Sequence, residues 1–507
     1  METCLYNWSR ARKRKYPAID LLIICTYCII YAPLEESAVF ALDNGIPEFL
    51  LLAAEAFERS GARLYLVGGW LRNRLLGLPH ADLDVSAALP PAEAMAVFQT
   101  IPGVRIAQRD TALGTFGILC GEEEAEYTAF RAESYGEGGA HRPREVRFGV
   151  TIAEDALRRD FTVNALYHDI AARSDVDPLG GLRDLEARRL RTCRKPGETF
   201  ADDGLRLMRT VRFACELGFD IETETYQAVK QHAALLRDIA PERLQAEFNR
   251  ILLADARYPE LKREENPALS GLHLLDETGL LRQFAPEFEA CRGVEQRPDY
   301  HDSDVLEHLF RTAACAPARL NLRLAALLHD IGKPAAIEAS GRMVGHDKLG
   351  EGIARGLLTR LRYPVASVDE IAALIRHHMA DLDGRTGESR LRLFFVKLGR
   401  ERSLELAELR RADVCGSRKE QAPGDPAEKW VSLLRRMDDE HVPWTMKELK
   451  ADGAALAKLA GGPSPAVGKL KRALHEHAVL HPGDNDAGSL MRLAERLIRD
   501  RNRFKPR

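Results

Sequence analysis

Leu66-Val-Gly-Gly-Trp-Leu-Arg-Asn-Arg-Leu-Leu-Gly77, followed closely by Asp82-Leu-Asp-Val-Ser86, is the stretch on which the reading of this chain turns. Leu64 to Val67 reads as a short strand, Gly68 and Gly69 break it, and Leu71 to Leu76 reads as the start of a helix. Asp82 to Ser86 alternates like a second strand, so the carboxylates of Asp82 and Asp84, at i and i+2, are expected on one face. Two acids so placed can share metal ions, and hard oxygen ligands completed by substrate phosphates suit Mg2+. The N–H groups that open a helix can receive a triphosphate, and Arg72 adds a guanidinium fork. An isolated Asp-x-Asp is more often a solvated strand end, and an isolated Gly-Gly an ordinary turn. Their closeness here turns both toward a nucleotide site.

Outward from this stretch, apolar residues at Phe49, Leu51, Leu52 and Phe57 predict a helix over Glu48 to Arg59. Gly117 to Cys120 and Glu126 to Phe130 suggest two further strands. Glu126 would complete the acidic set if its strand neighbours the first, although Glu122, Glu123 and Glu124 stand nearby and spacing does not separate them. Past Asp177-Pro-Leu-Gly-Gly181 the strand signals fade, and helical spacing dominates from Leu205. The expected fold is an α/β head, a small mixed sheet with helices, followed by an elongated all-α body and tail.

A chain of 507 residues is long enough for several cores. Its formal charge of -3 gives no global sign of polyanion binding, so an RNA site would have to be a local patch. Trp430 to Arg507 supplies one, with 15 Lys and Arg against 10 Asp and Glu. Nine scattered cysteines show no disulfide-framework or metal-ligand spacing outside Cys25-Thr-Tyr-Cys28, which fits a reducing compartment. A basic stretch (Arg10 to Lys15) before an apolar run (Leu21 to Tyr31) mimics a signal sequence, but that run is short for a membrane span. Residues 1–45 are therefore expected to be either a targeting segment or an upstream extension.

The 66–77 stretch with Asp82-Leu-Asp84 resembles the head-domain signature of class II tRNA nucleotidyltransferases and bacterial poly(A) polymerases. Arg158-Arg-Asp-Phe-Thr-Val-Asn-Ala165 is similar to that family's ribose-contacting motif, and Asp177-Pro-Leu-Gly-Gly181 to its next landmark. Asp202-Asp-Gly-Leu-Arg-Leu-Met-Arg-Thr-Val-Arg-Phe213 resembles its base-reading helix. The resemblance implies catalytic Asp82, Asp84 and Glu126, with Asp82 and Asp84 on Mg2+. It also implies nucleotide contacts from Gly68, Gly69, Arg72, Arg159, Asp160, Asn164, Asp203, Arg206, Arg209 and Arg212. Asp203 and Arg206, three apart on one helix, would face the same way. A carboxylate accepts from the exocyclic amino group of cytosine or adenine while a guanidinium donates to the adjacent ring nitrogen, so the pair would select C and A. Three positions depart from the family pattern. Trp70 stands where a small residue is usual, Asp202 where Glu is usual, and Asn73 where an Asp is expected to orient Arg72.

A second constellation comprises His308, Leu327-Leu-His-Asp-Ile-Gly-Lys333 (His329 and Asp330), His346, one of His377 and His378, and Asp413. It resembles an HD phosphohydrolase domain and would ligate a second divalent metal. Pro443 to Gly453 and Val467 to Arg472 resemble the tRNA-contacting tail of class II enzymes. The expected organisation is a head over 46–175, a neck over 176–290, an HD-type domain over 291–416 and a tail over 417–507. The expected activity is untemplated addition of C and A to the 3′ end of tRNA from CTP and ATP by two-metal transfer, in the cytoplasm, with no membrane and no obligatory protein partner. Poly(A) synthesis and HD-type phosphohydrolysis are the alternatives.

Overall fold

The computed structural model describes residues 45–79, 82–135, 143–263, 265–296, 302–381, 384–417 and 426–499. The expected N-terminal extension, but for Gly45, lies outside them, as do Arg501 to Arg507. The head is built on nine strands: β1 (Tyr65–Val67), β2 (Leu83–Ala87), β3 (Val104–Asp110), β4 (Thr115–Cys120), β5 (Glu123–Ala129), β6 (Arg131–Ser134), β7 (Glu145–Phe148), β8 (Tyr167–Asp169) and β9 (Ser174–Val176). Seven form one mixed sheet in the order β3-β4-β5-β2-β1-β8-β9, and β6 with β7 make a separate hairpin. Within the sheet β2 runs parallel to β5, with Asp84 opposite Glu126, and antiparallel to β1.

Alternation along these strands sorts the residues onto two faces. Leu66, Val85 and Tyr127 point to the side covered by the helices Glu48–Arg59 and Pro91–Phe98, where Phe57, Phe98, Phe116 and Tyr127 form a fully buried aromatic cluster. Rings of Phe116 and Tyr127 stack at 4.8 Å, and Phe57 meets Phe98 edge to face at 5.1 Å. Val67, Asp84 and Glu126 fall on the opposite side. The β1 turn leads into the helix Gly69–Leu75, and Trp70 lies buried in the head core, so the family's usual small residue is not required here.

Beyond the head the described residues are mainly helical, with the paired short strands Arg189–Leu190 and Asp220–Ile221. One apolar core runs without a break from Phe200 through the helices of residues 305–416 to Val479. The fully buried Arg323 ties its parts together, donating to the carbonyls of Ala316 and Leu252 and to Asp255. Leu449, Leu456, Leu470, Leu474, Ala478, Leu490 and Ala494 form a separate small cluster in the tail. Cys315 and Cys415 are joined in a disulfide, which corrects the expectation that no cysteines outside the N-terminal pair are so spaced. No helix among the described residues is long and apolar enough to cross a membrane.

Candidate active site and histidine cluster

A cleft of about 830 Å³ opens where the head meets the neck helices. Gly68, Gly69, Arg72, Asp82 and Asp84 line it from the head, as do Arg159, Asp160 and Asn164. From the neck side come Asp203, Arg206, Arg209 and Arg212. Asp82 lies one residue before β2 rather than on it, yet both carboxylates reach the same cleft. Glu126 does not line the cleft; it flanks Asp84 in register, so its side chain leaves the same face of the sheet. The three acids do not converge within 4.8 Å of one another as the histidine set below does. Gly68 has φ +73, and a Cβ there would stand 3.4 Å from Asp84 Oδ2. Glycine thus lets the turn bend into left-handed backbone hard against the acid.

Arg72 is oriented in spite of the missing acid, which revises the expectation for Asn73. The amide oxygen of Asn73 accepts from Arg72 Nε at 3.1 Å and Nη2 at 2.7 Å, and Asn164 Oδ1 accepts from Nη1 at 2.5 Å. Asn73 Nδ2 in turn donates to the Pro79 carbonyl at 2.9 Å and to the hydroxyl of Tyr258 at 2.8 Å. Geometry is preserved while a negative charge is lost. Burial pushes the Arg72 pKa down, and its hydrogen-bond partners here are neutral amides. The guanidinium also lies 5.0 Å over the ring of Phe213, which Arg212 approaches from 4.0 Å and Arg209 from 5.2 Å.

Asp160 accepts from Asn164 Nδ2 at 3.0 Å and from Arg209 Nε at 2.8 Å. Burial alone would raise its pKa, but Arg209 and the Asn164 amide outweigh it and hold the carboxyl below its usual range. Arg159 is braced by Asp155 at 3.2 Å and by the Tyr167 hydroxyl at 3.0 Å. Arg212 is paired with Glu247 and Glu216 rather than free for phosphate, and Asp202 pairs with Arg194.

Asp203 and Arg206 both line the cleft but do not share a helix. One helix ends at Asp202, Asp203 is extended, and the next begins at Leu205. The intervening Gly204 is the signal against a continuous helix. Asp203 instead leads into the second helix, its Oδ1 accepting from the backbone N–H of Leu205 at 3.1 Å. Arg243, which sequence reasoning missed, grips the same carboxylate at 2.9 Å. Arg206 is held by the carbonyls of Thr199 and Arg158. Arg243 and Tyr258 carry no local motif, and each acts on residues that only the fold brings near, whereas Asp155 braces Arg159 from four positions before it.

The second constellation assembles. His308, on the helix Val305–Cys315, His329 and Asp413 form one group; Asp330, His346 and His378 form another. Asp330 joins them, with Oδ2 3.2 Å from His329 Nε2 and Oδ1 3.0 Å from His346 Nε2. Asp413 Oδ1 lies 3.2 Å from His308 Nε2. His378 is the member, whereas His377 packs on Phe394 with ring centroids 5.5 Å apart. Lys333 Nζ, 2.5 Å from Asp330 Oδ2, is an addition.

The Nδ1 atoms of His329, His346 and His378 lie 2.6–2.8 Å from the carbonyls of Ala326, Met343 and Ile375. A carbonyl only accepts, so Nδ1 carries a proton in each ring, and in the neutral form Nε2 keeps its lone pair. The Nε2 atoms of His346 and His378 then face one another at 3.0 Å, an arrangement fitted to a cation between them. A mixed imidazole and carboxylate donor set suits a first-row transition metal, whereas the all-oxygen pair of Asp82 and Asp84 suits Mg2+. Burial would raise the Asp330 pKa, but His329 and Lys333 hold it well below the usual carboxylate range.

A head with paired acids beside a diglycine turn, joined to a helical body with an HD cluster, defines the class. The Poly A polymerase head domain family matches residues 64–191, the family described as probable RNA and SrmB-binding site of polymerase A matches 218–263, and the HD domain family matches 305–417. An A-adding tRNA nucleotidyltransferase of Deinococcus radiodurans is 32% identical over 437 residues, covering 82% of this chain and 91% of that protein. A CCA-adding enzyme of Lacticaseibacillus paracasei is 42% identical over 216 residues, 42% of this chain and 52% of the relative. The chain thus spans about half the length of that CCA-adding relative. The crystal structure of Bacillus stearothermophilus CCA-adding enzyme in complex with CTP superposes with a TM-score of 0.63 and 26% identity, covering 86% of this chain and 94% of that one. The chain belongs to the class II family of tRNA nucleotidyltransferases and bacterial poly(A) polymerases, with an HD domain.

Proposed function

We propose that this protein adds C and A to the 3′ end of tRNA from CTP and ATP, completing or repairing the CCA terminus. The observation that carries the reading is the meeting of the Asp82 and Asp84 pair with Asp203 and Arg206 in one cleft. Mg2+ held by Asp82 and Asp84 would supply charge neutralisation at the phosphates. Arg72 and Arg159 orient the triphosphate and Asp160 and Asn164 the ribose, so that the RNA 3′ oxygen meets the α-phosphate in line and the α–β bond breaks with release of pyrophosphate. Glu126 positions or deprotonates that hydroxyl. Asp203 and Arg206 select the base, and rotation of Arg243 away from Asp203 frees the carboxylate to accept from an exocyclic amino group. On this reading the head is 46–175, the neck 176–290, the HD unit 291–416 and the tail 417–507, with tRNA phosphates on the basic tail.

The test is incubation with tRNA lacking its terminus and with NTPs singly and in pairs. CTP with ATP should extend the RNA by three residues and then stop. Addition of A alone, as the name of the Deinococcus relative says of that protein, or an unlimited A tail would replace the CCA reading. Asp82→Ala and Asp84→Ala should each abolish addition with the melting temperature and tRNA affinity nearly unchanged; retained addition in either would remove the acid pair from the mechanism.

A second activity is supported by the six-residue cluster around Asp330: metal-dependent hydrolysis of phosphate esters in the HD unit. Hydrolysis that survives Asp82→Ala and disappears in Asp330→Ala is the expected pattern.

A further inference from the structure

The direction of one buried hydrogen bond assigns a role to a neck residue. A guanidinium only donates, so Asn73 must present its oxygen to Arg72, and a peptide carbonyl only accepts, so Nδ2 must face Pro79. The same Nδ2 meets the Tyr258 hydroxyl at 2.8 Å, which makes that hydroxyl the acceptor. Its own proton therefore points elsewhere. Tyr258 is buried, and it lines the cleft in company with Arg72 and Arg257. An aspartate at position 73 would have no proton to give, and the tyrosine would have to donate to it. Asparagine reverses the bond and leaves the hydroxyl proton available to another acceptor.

We propose that Tyr258 is a phosphate-binding residue of the transfer site: it accepts from Asn73, which keeps Arg72 in place, and donates to a phosphate oxygen in the cleft. This rests on reading the cleft as a nucleotide-transfer site. The phosphate is either that of the incoming triphosphate or the last phosphodiester of the RNA, which share the same acceptor chemistry.

The experiment is a cycle of wild type, Tyr258→Phe, Asn73→Asp and the double variant in the full chain. Calorimetry measures binding of tripolyphosphate in one arm and of tRNA lacking its terminus in the other, both without turnover, and thermal melts confirm folding. Loss of a hydrogen bond to a charged oxygen should weaken one of the two ligands about tenfold in Tyr258→Phe. The weakened arm identifies the source. In the Asn73→Asp background the hydroxyl is committed to the acid, so the same Tyr-to-Phe change should alter binding less than about twofold. Equal losses in both backgrounds would assign the effect to packing and overturn the proposal, as would unchanged affinity for both ligands in Tyr258→Phe. A chain that binds tripolyphosphate in this pattern yet adds no nucleotide would overturn the transferase reading and leave the role of Tyr258 standing.

Discussion

Asp160 is the residue at which stability and the proposed ribose contact coincide. Unfolded, it titrates near the ordinary aspartate value of about 3.9. Folding lowers that value, because Arg209 and the Asn164 amide more than offset the cost of burial. A depressed carboxyl stabilises the fold fully above its unfolded pKa and loses that contribution as pH falls toward the folded value. Asp160→Asn should therefore cost about 2 kcal/mol at pH 7. Urea denaturation at a series of pH values should show the gap to wild type narrowing below pH of about 4. At this scale the meeting of Asp82 and Asp84 in one cleft was legible, because their i, i+2 spacing and the diglycine turn are both local, although Asp82 lies just before the strand. Orientation of Arg72 was not, since it depends on an amide 92 positions away and on Tyr258, 185 positions from Asn73.

The pairing of two helices governs the histidine cluster. Val305–Cys315 brings His308, Arg400–Gly416 brings Asp413, and the disulfide pins their C-terminal ends together. Gly416 lets them approach, for a Cβ there would come within 2.3 Å of Thr312 Oγ1. The bond closes a loop of sequence separation 100, so its removal should cost about 2–4 kcal/mol in denaturant titrations. Cys415→Ser, or a reductant acting at the exposed Cys415, should also weaken Mn2+ binding, followed by equilibrium dialysis, because His308 and Asp413 lose their fixed spacing. Helices were well read where periodicity is strong: the expected Glu48 to Arg59 is the helix observed. The break before Leu205 was overlooked, since the pattern of charges at 203, 206 and 209 continues across Gly204 although the backbone does not. A disulfide between residues a hundred positions apart leaves no local trace, and His377 and His378 differ only in which way the helix end turns them.

Across the whole molecule, apolar contact is shared very unevenly. The core that begins at Phe200 takes in the neck and the HD helices, and the head core reaches over to Phe213, Phe219 and Tyr258 of the neck. An α/β head with a helical body was foreseeable, because alternation gives way to helical spacing near residue 200. The fusion of neighbouring units into one core was not, since periodicity shows that a face is apolar without showing what covers it. The tail cluster is a separate one of seven buried side chains of modest size, although Val479 of its helix Pro465–Leu480 joins the main core. Regions with so little interior open at lower free energy than the rest. Scanning calorimetry should resolve a small early transition that a truncation after Val442 removes. On the function proposed above, nucleotide capture should persist between that transition and the main one while tRNA is released, so that warming would idle the enzyme before it ruined it.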